Sequence, residues 1–196
     1  MASRITRENE RNIRSKDFLV GNQADFAGNA FLTAKITLLQ AKIAETGDAQ
    51  ELQISSGGAA RQNYEIAEEI NDELKVLMRD VADIAVTMGE EIEGIEEKFR
   101  LTRSGGKRAR IARARAFATD AAPHKADFVA RGMEADFIEL LNAKADALEQ
   151  ALSAAVAKTA QRVGSTETRM LAHKESNKII TQVNPIIRKF YHGNTA

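Results

Sequence analysis

Residues 66–99 read IAEEINDELKVLMRDVADIAVTMGEEIEGIEEKF, and this stretch decides the fold class. Its apolar residues Ile66, Ile70, Leu74, Leu77, Val81, Ile84, Met88, Ile92, Ile95 and Phe99 step by 4, 4, 3, 4, 3, 4, 4, 3 and 4. An α-helix turns once per 3.6 residues, so steps of three and four keep a stripe on one side, whereas a half-buried strand would alternate. From Ile70 onward the spacing is nearly a heptad seam, which requires a partner surface of similar length. Each of these side chains contributes about 1.5–3 kcal/mol when fully buried, so covering the stripe is the main driving force for folding. Gly89 and Gly94 weaken its far end by up to about 1 kcal/mol each.

The flanking segments read as helices too. Leu32, Ile36, Leu39 and Ile43 step by 4, 3 and 4 within a predicted helix from Gln23 to Thr46. Gly47 predicts its stop, and Asp48-Ala49-Gln50-Glu51 has the pattern of a capping box for a following helix. Ser55-Ser56-Gly57-Gly58 either interrupts that helix or marks its start, and Ser104-Gly105-Gly106 predicts its end. A third helix is expected from about Pro123 to Val163, with Phe137, Leu141, Leu148, Leu152 and Val156 inward. Gly164-Ser165-Thr166 predicts a turn or kink before a fourth helix, which Pro185 disturbs because proline lacks an amide and clashes one turn back.

The chain also resembles itself at an offset of 102 residues. Ala24-Asp25-Phe26 recurs as Ala126-Asp127-Phe128, and Leu38-Leu39-Gln40-Ala41-Lys42 as Leu140-Leu141-Asn142-Ala143-Lys144. Between residues 23–46 and 125–148, 8 of 24 positions are identical, and the same offset pairs Leu77 with Ile179 and Val81 with Val183. A duplicated unit that cannot bury its own stripe packs against its twin. The expected fold is therefore all-α: a four-helix bundle of two duplicated helical hairpins in up-down packing. Its divisions are a basic N-terminal segment at 1–21, one hairpin at 22–103, a basic linker at 104–121 and a second hairpin at 122–196.

Composition narrows the function classes. The 196 residues carry 28 Lys and Arg against 28 Asp and Glu, which argues against a bulk electrostatic binder of DNA and leaves room for local basic patches. With no cysteine, disulfides, thiol catalysis and zinc-thiolate sites are excluded. Residues 1–16 lack an apolar leader core and no run of about 18 apolar residues exists, so no membrane span and a cytoplasmic location are expected.

Among chemistry-bearing patterns the basic stretch is sharpest. Lys98, Arg100, Arg103, Lys107, Arg108, Arg110, Arg113 and Arg115 fall within 18 residues that contain no acid. Guanidinium forks suit carboxylate and phosphate oxygens, so Lys107, Arg108, Arg110, Arg113 and Arg115 form a candidate contact for nucleic acid or an acidic protein. The alternative is a solvated linker whose arginines pair with Glu90, Glu91, Glu93, Glu96 and Glu97. A di-iron bundle site would need Glu-x-x-His on inward faces, and no such motif occurs. His124, His173 and His192 are isolated and read as surface or capping residues, with His173 the one that could meet acids on another helix. No Gly-x-Ser-x-Gly elbow or phosphate-binding loop is present, so no catalytic residue, metal or cofactor is expected.

The ending Asn184-Pro185-Ile186-Ile187-Arg188-Lys189-Phe190-Tyr191-His192-Gly193, with the helical layout, resembles uncharacterised all-α proteins encoded in bacterial genomes. That resemblance implies a helical fold and no particular activity. The residues themselves point to a non-enzymatic structural or interaction protein. Self-association into a homo-oligomer or filament is expected through helix faces, with Leu74, Leu77, Val81, Ile84 and Met88 as the seam. An adaptor that binds nucleic acid or an acidic partner through 98–115 is the alternative.

Overall fold

The computed structural model describes residues 4–101 and 105–192 of the chain. Arg103, Ser104 and Gly193 lie outside the described residues. The described residues are helical with no strand: α1 (Arg4–Gly21), α2 (Ala30–Met88), α3 (Ile95–Lys98), α4 (Lys107–Ala121), α5 (Lys125–Ala130) and α6 (Phe137–His192). Short 3-10 turns at Gln23–Phe26 and Ala122–His124 follow α1 and α4.

The all-α class is as expected, but the hairpins are not there. α2 runs 59 residues without a break through Gly47 and Gly57-Gly58, and α6 runs 56 through Gly164 and Pro185. Glycine in a helix costs about 1 kcal/mol relative to alanine, which packing overrides. At Gly57 the reason is visible. A Cβ there would meet the Arg162 side chain at 3.3 Å, so the glycine permits a close approach between α2 and α6 instead of a turn. Ser56 and Ala60 beside it are buried. Around Gly164, the Ser165 and Thr166 hydroxyls each donate to the Arg162 carbonyl at 2.9 Å, keeping these residues inside the helix.

Real breaks fall elsewhere. The seam helix stops at Met88, where the Gly89 amide bonds the Val86 carbonyl and Gly94 takes the left-handed φ of 76°. Ile95 and Phe99 are therefore buried beyond a turn, not on a continuing heptad rod. The expected third helix likewise splits: α5 ends near Gly132 (φ 102°), and α6 begins at Phe137. The 104–121 linker is corrected more sharply. α4 is a core helix that buries Ile111, Ala114, Phe117, Ala118 and Ala121.

The chain forms two compact units. The first comprises the described residues within 1–57 and 159–196, so it joins α1 and the first half of α2 to the last part of α6. Its core holds Leu19, Phe26, Leu32, Ile36, Leu39, Ile179 and Val183. The second comprises residues 58–158 as described, joining the rest of α2 to α4, α5 and the start of α6. Leu74, Met78, Val81, Phe99, Phe117, Phe128, Phe137 and Leu141 anchor its core.

Several positions paired by the 102-residue offset share burial, although Leu32 and Met88 are buried where Glu134 and Phe190 are exposed. Phe26, in the 3-10 turn after α1, and Phe128, in α5, are both fully buried, as are Leu39 on α2 and Leu141 on α6. Val81 and Val183 are buried, as are Leu19 and Ala121, and Asn12 and Ala114. The two short helices thus occupy corresponding places with different chemistry: apolar on α4, partly polar on α1.

Candidate interaction surfaces

The expected basic surface at 98–115 is largely engaged within the second unit. α4 points Lys107 at Glu68 on α2, with Nζ 2.5 Å from Oε2. Arg110 donates to the Oδ1 of Asn71, a buried amide on α2. Arg115 meets both Asp146 and Glu149 of α6 at 2.6 Å. These partners hold the Arg115 guanidinium charged beyond its ordinary range, while the Lys107 ammonium pulls the Glu68 carboxyl below the usual one. Arg113 is half-buried and also engaged, whereas Arg108 is exposed. The acids that take up these cations lie on α2 and α6; among the described residues, Glu97 of the Glu90–Glu97 group is near Arg100 of the stretch, at 3.5 Å.

The seam residues divide. Leu74, Val81 and Met88 are fully buried, while Leu77 and Ile84 are half-buried, and Met78 and Ala85 take the other inward positions. All five belong to the core of the second unit or pack against it.

The first unit holds a polar cluster that isolated residues did not announce. His173 is buried on α6, with Nε2 3.0 Å from Oε2 of Glu8 on α1 and 3.2 Å from Nδ2 of Asn177. Its Nδ1 and the Nδ2 of buried Asn12 have no hydrogen-bond partner among the described residues. The signal was available in the offset, which maps Glu8 to Arg110 and His173 to Asn71. Each unit therefore places one polar pair at the same register, carboxylate to imidazole in the first and guanidinium to amide in the second. One turn on, the Ser176 Oγ donates to the Ala172 carbonyl at 2.9 Å. Nearby, Lys42 bridges Glu45 and Glu175 at 2.8 Å each; these bonds raise the ammonium well above its usual value, and Lys42 lowers Glu175. Among the described residues no group of three or more His, Asp or Glu could hold a metal ion.

Concave surfaces also lie in the first unit. A trough between α2 and α6 is lined by Ala41, Ala44, Ala49, Leu52, Gly164 and Ser165, edged by Glu45, Asp48, Gln161 and Thr168. Its volume is about 550 Å³ and it lies open to solvent. A groove of about 320 Å³ runs between α1 and α6 over Leu19, Ile180, Val183 and Ile187. No described helix is long and apolar enough to cross a membrane. The chain matches no family model, no curated protein and no solved structure.

Proposed function

We propose that the chain is a non-catalytic interaction protein that arose by internal duplication and self-associates through helix faces of its first unit, in the cytoplasm. The supporting observation is the uncovered trough between α2 and α6. Small residues there permit another helix to approach closely, and Leu52 at its edge is 41% exposed. Val163 and Met170, 50% and 56% exposed, lie seven residues apart and so share one face of α6. At about 100° per residue that face points away from the Gly164 and Thr168 side, so knob and trough are different surfaces. A contact between them is heterologous and extends into a ring or filament. The duplication is supported by the shared burial of offset-paired positions, above all Phe26 with Phe128 and Leu39 with Leu141.

The basic segment is the weaker candidate surface because Lys107, Arg110 and Arg115 already have partners inside the second unit. Sedimentation velocity tests the reading. The wild-type mass should exceed 21.5 kDa and rise with concentration. Leu52→Asp and Met170→Asp should each reduce assembly, and mixing the two variants should restore a dimer, because each retains the surface the other lacks. A wild-type monomer across the accessible concentration range would refute it.

A further inference from the structure

The groove between α1 and α6 is a space that the second unit fills and the first leaves open. The offset maps Ser15 to Phe117, and it maps Ile180, Val183 and Ile187 to Met78, Val81 and Ala85. In the second unit Phe117 is buried in the same core cluster as Met78, Val81 and Ala85, with its ring edge-on to Phe99 at 5.1 Å. In the first unit the short Ser15 side chain stands at that place, and the groove lies above an apolar floor. What fits the space is therefore displayed by the molecule itself: one aromatic ring.

The rim supplies the charge of the occupant. Arg11 and Arg14 of α1 border the groove, and Arg188 of α6 borders the surface continuous with it through Arg11, Ser15 and Ile180. Arg11 donates at 2.8 Å to the neutral Asn177 amide oxygen. Arg14 and Arg188 have no acid at ion-pair distance among the described residues. Elsewhere Lys42, Lys107, Arg115, Lys125, Arg131 and Lys144 all do. Two guanidiniums at the apolar slot and a third on the adjoining surface, none with a carboxylate partner among the described residues, call for an acidic ligand, since guanidinium forks bind carboxylates bidentately.

We propose that this groove docks an acidic peptide segment, which inserts one aromatic side chain where the second unit holds Phe117 and places its flanking carboxylates on Arg11, Arg14 and Arg188. An aromatic anchor in a pocket with charged neighbours is a common way for a small interface to gain affinity. The site is separate from the self-association trough and stands whether or not the chain oligomerises.

The test is fluorescence anisotropy of the full chain with a labelled peptide of one phenylalanine flanked on both sides by glutamates. Wild type should bind it, and a peptide with alanine in place of the phenylalanine should bind at least about tenfold more weakly. Arg14→Ala with Arg188→Ala should also cost about tenfold and flatten the salt dependence. Ser15→Phe should close the groove, raising the urea midpoint while abolishing binding; Ser15→Met serves if the ring overpacks. The proposal is overturned if a groove-filling variant of raised stability binds the peptide like wild type, or if the aromatic-free peptide binds equally well. It is equally overturned if dodecanoate binds and the peptide does not.

Discussion

Replacing Phe128 with alanine strikes the most aromatic part of the second core. Its ring is fully buried, 5.3 Å from Phe99 at 73° and 5.4 Å from Phe137 at 41°, and Phe99 in turn meets Phe117. Truncating a buried phenylalanine costs about 3–5 kcal/mol, combining lost transfer energy with the cavity left behind. Two aromatic contacts, each worth about 0.5–1.5 kcal/mol beyond area, place Phe128→Ala near the upper end, about 4–5 kcal/mol. Phe26→Ala is the internal comparison. Phe26 is just as buried, but its ring neighbours Phe190 and Tyr191 are 38% and 39% exposed, so they can relax or admit water. Its cost should lie near the lower end, about 3 kcal/mol. Urea unfolding followed by circular dichroism at the helix band measures both variants against wild type. A loss under about 1 kcal/mol for Phe128→Ala would show that this ring is a surface residue, contrary to the packing described. A larger loss for Phe26→Ala than for Phe128→Ala would contradict the ranking of the two cores.

Two further outcomes follow from the ion pairs and the buried amide. Arg110→Ala strips the donor from buried Asn71 and should cost about 1–3 kcal/mol in the same assay, while exposed Arg108→Ala should stay within about 0.5 kcal/mol. Equal effects would mean that α4 uses its cations on solvent, not on α2. Glu68, Asp72, Glu139 and Glu175 are each held below the ordinary carboxyl range, chiefly by bonds to Lys107, Lys75, Lys125 and Lys42. A carboxyl whose folded pKa is depressed adds stability above its unfolded pKa and loses it as pH falls through the folded value. The melting midpoint should therefore hold from neutrality to about pH 5 and fall below about pH 4, less steeply in high salt. A midpoint that rises on acidification is the opposite result.

Helical class and the inward stripes were legible because three-and-four spacing of Leu74, Leu77, Val81, Ile84 and Met88, or of Leu32, Ile36 and Leu39, is a local property of the chain. Turns were misread where their cause is tertiary. Gly57 looks like a breaker in isolation, and only the Arg162 side chain against it shows that the missing Cβ makes room. The same limit applied to α4. Its arginines dominate residues 107–115, yet Ile111, Ala114 and Phe117 decide its place, and their partners lie far away in sequence. His173 was recognisable only as a residue that could meet an acid, since Glu8 is 165 positions distant. The 102-residue offset pairs buried with buried residues at Phe26 and Phe128, Leu39 and Leu141, and Val81 and Val183, though not at Leu32 and Glu134, and it sets Ser15 of one unit against Phe117 of the other.

Because α2 and α6 run uninterrupted through Gly47 and Gly164, each compact unit draws on both halves of the sequence. Expressing residues 1–101 and 105–196 as separate chains probes this directly. Mixed together, they should form a one-to-one complex by light scattering with the helical signal of the intact protein, and each alone should lack a cooperative melt. Two halves that fold cooperatively by themselves and ignore one another would contradict a structure in which each compact unit draws on both.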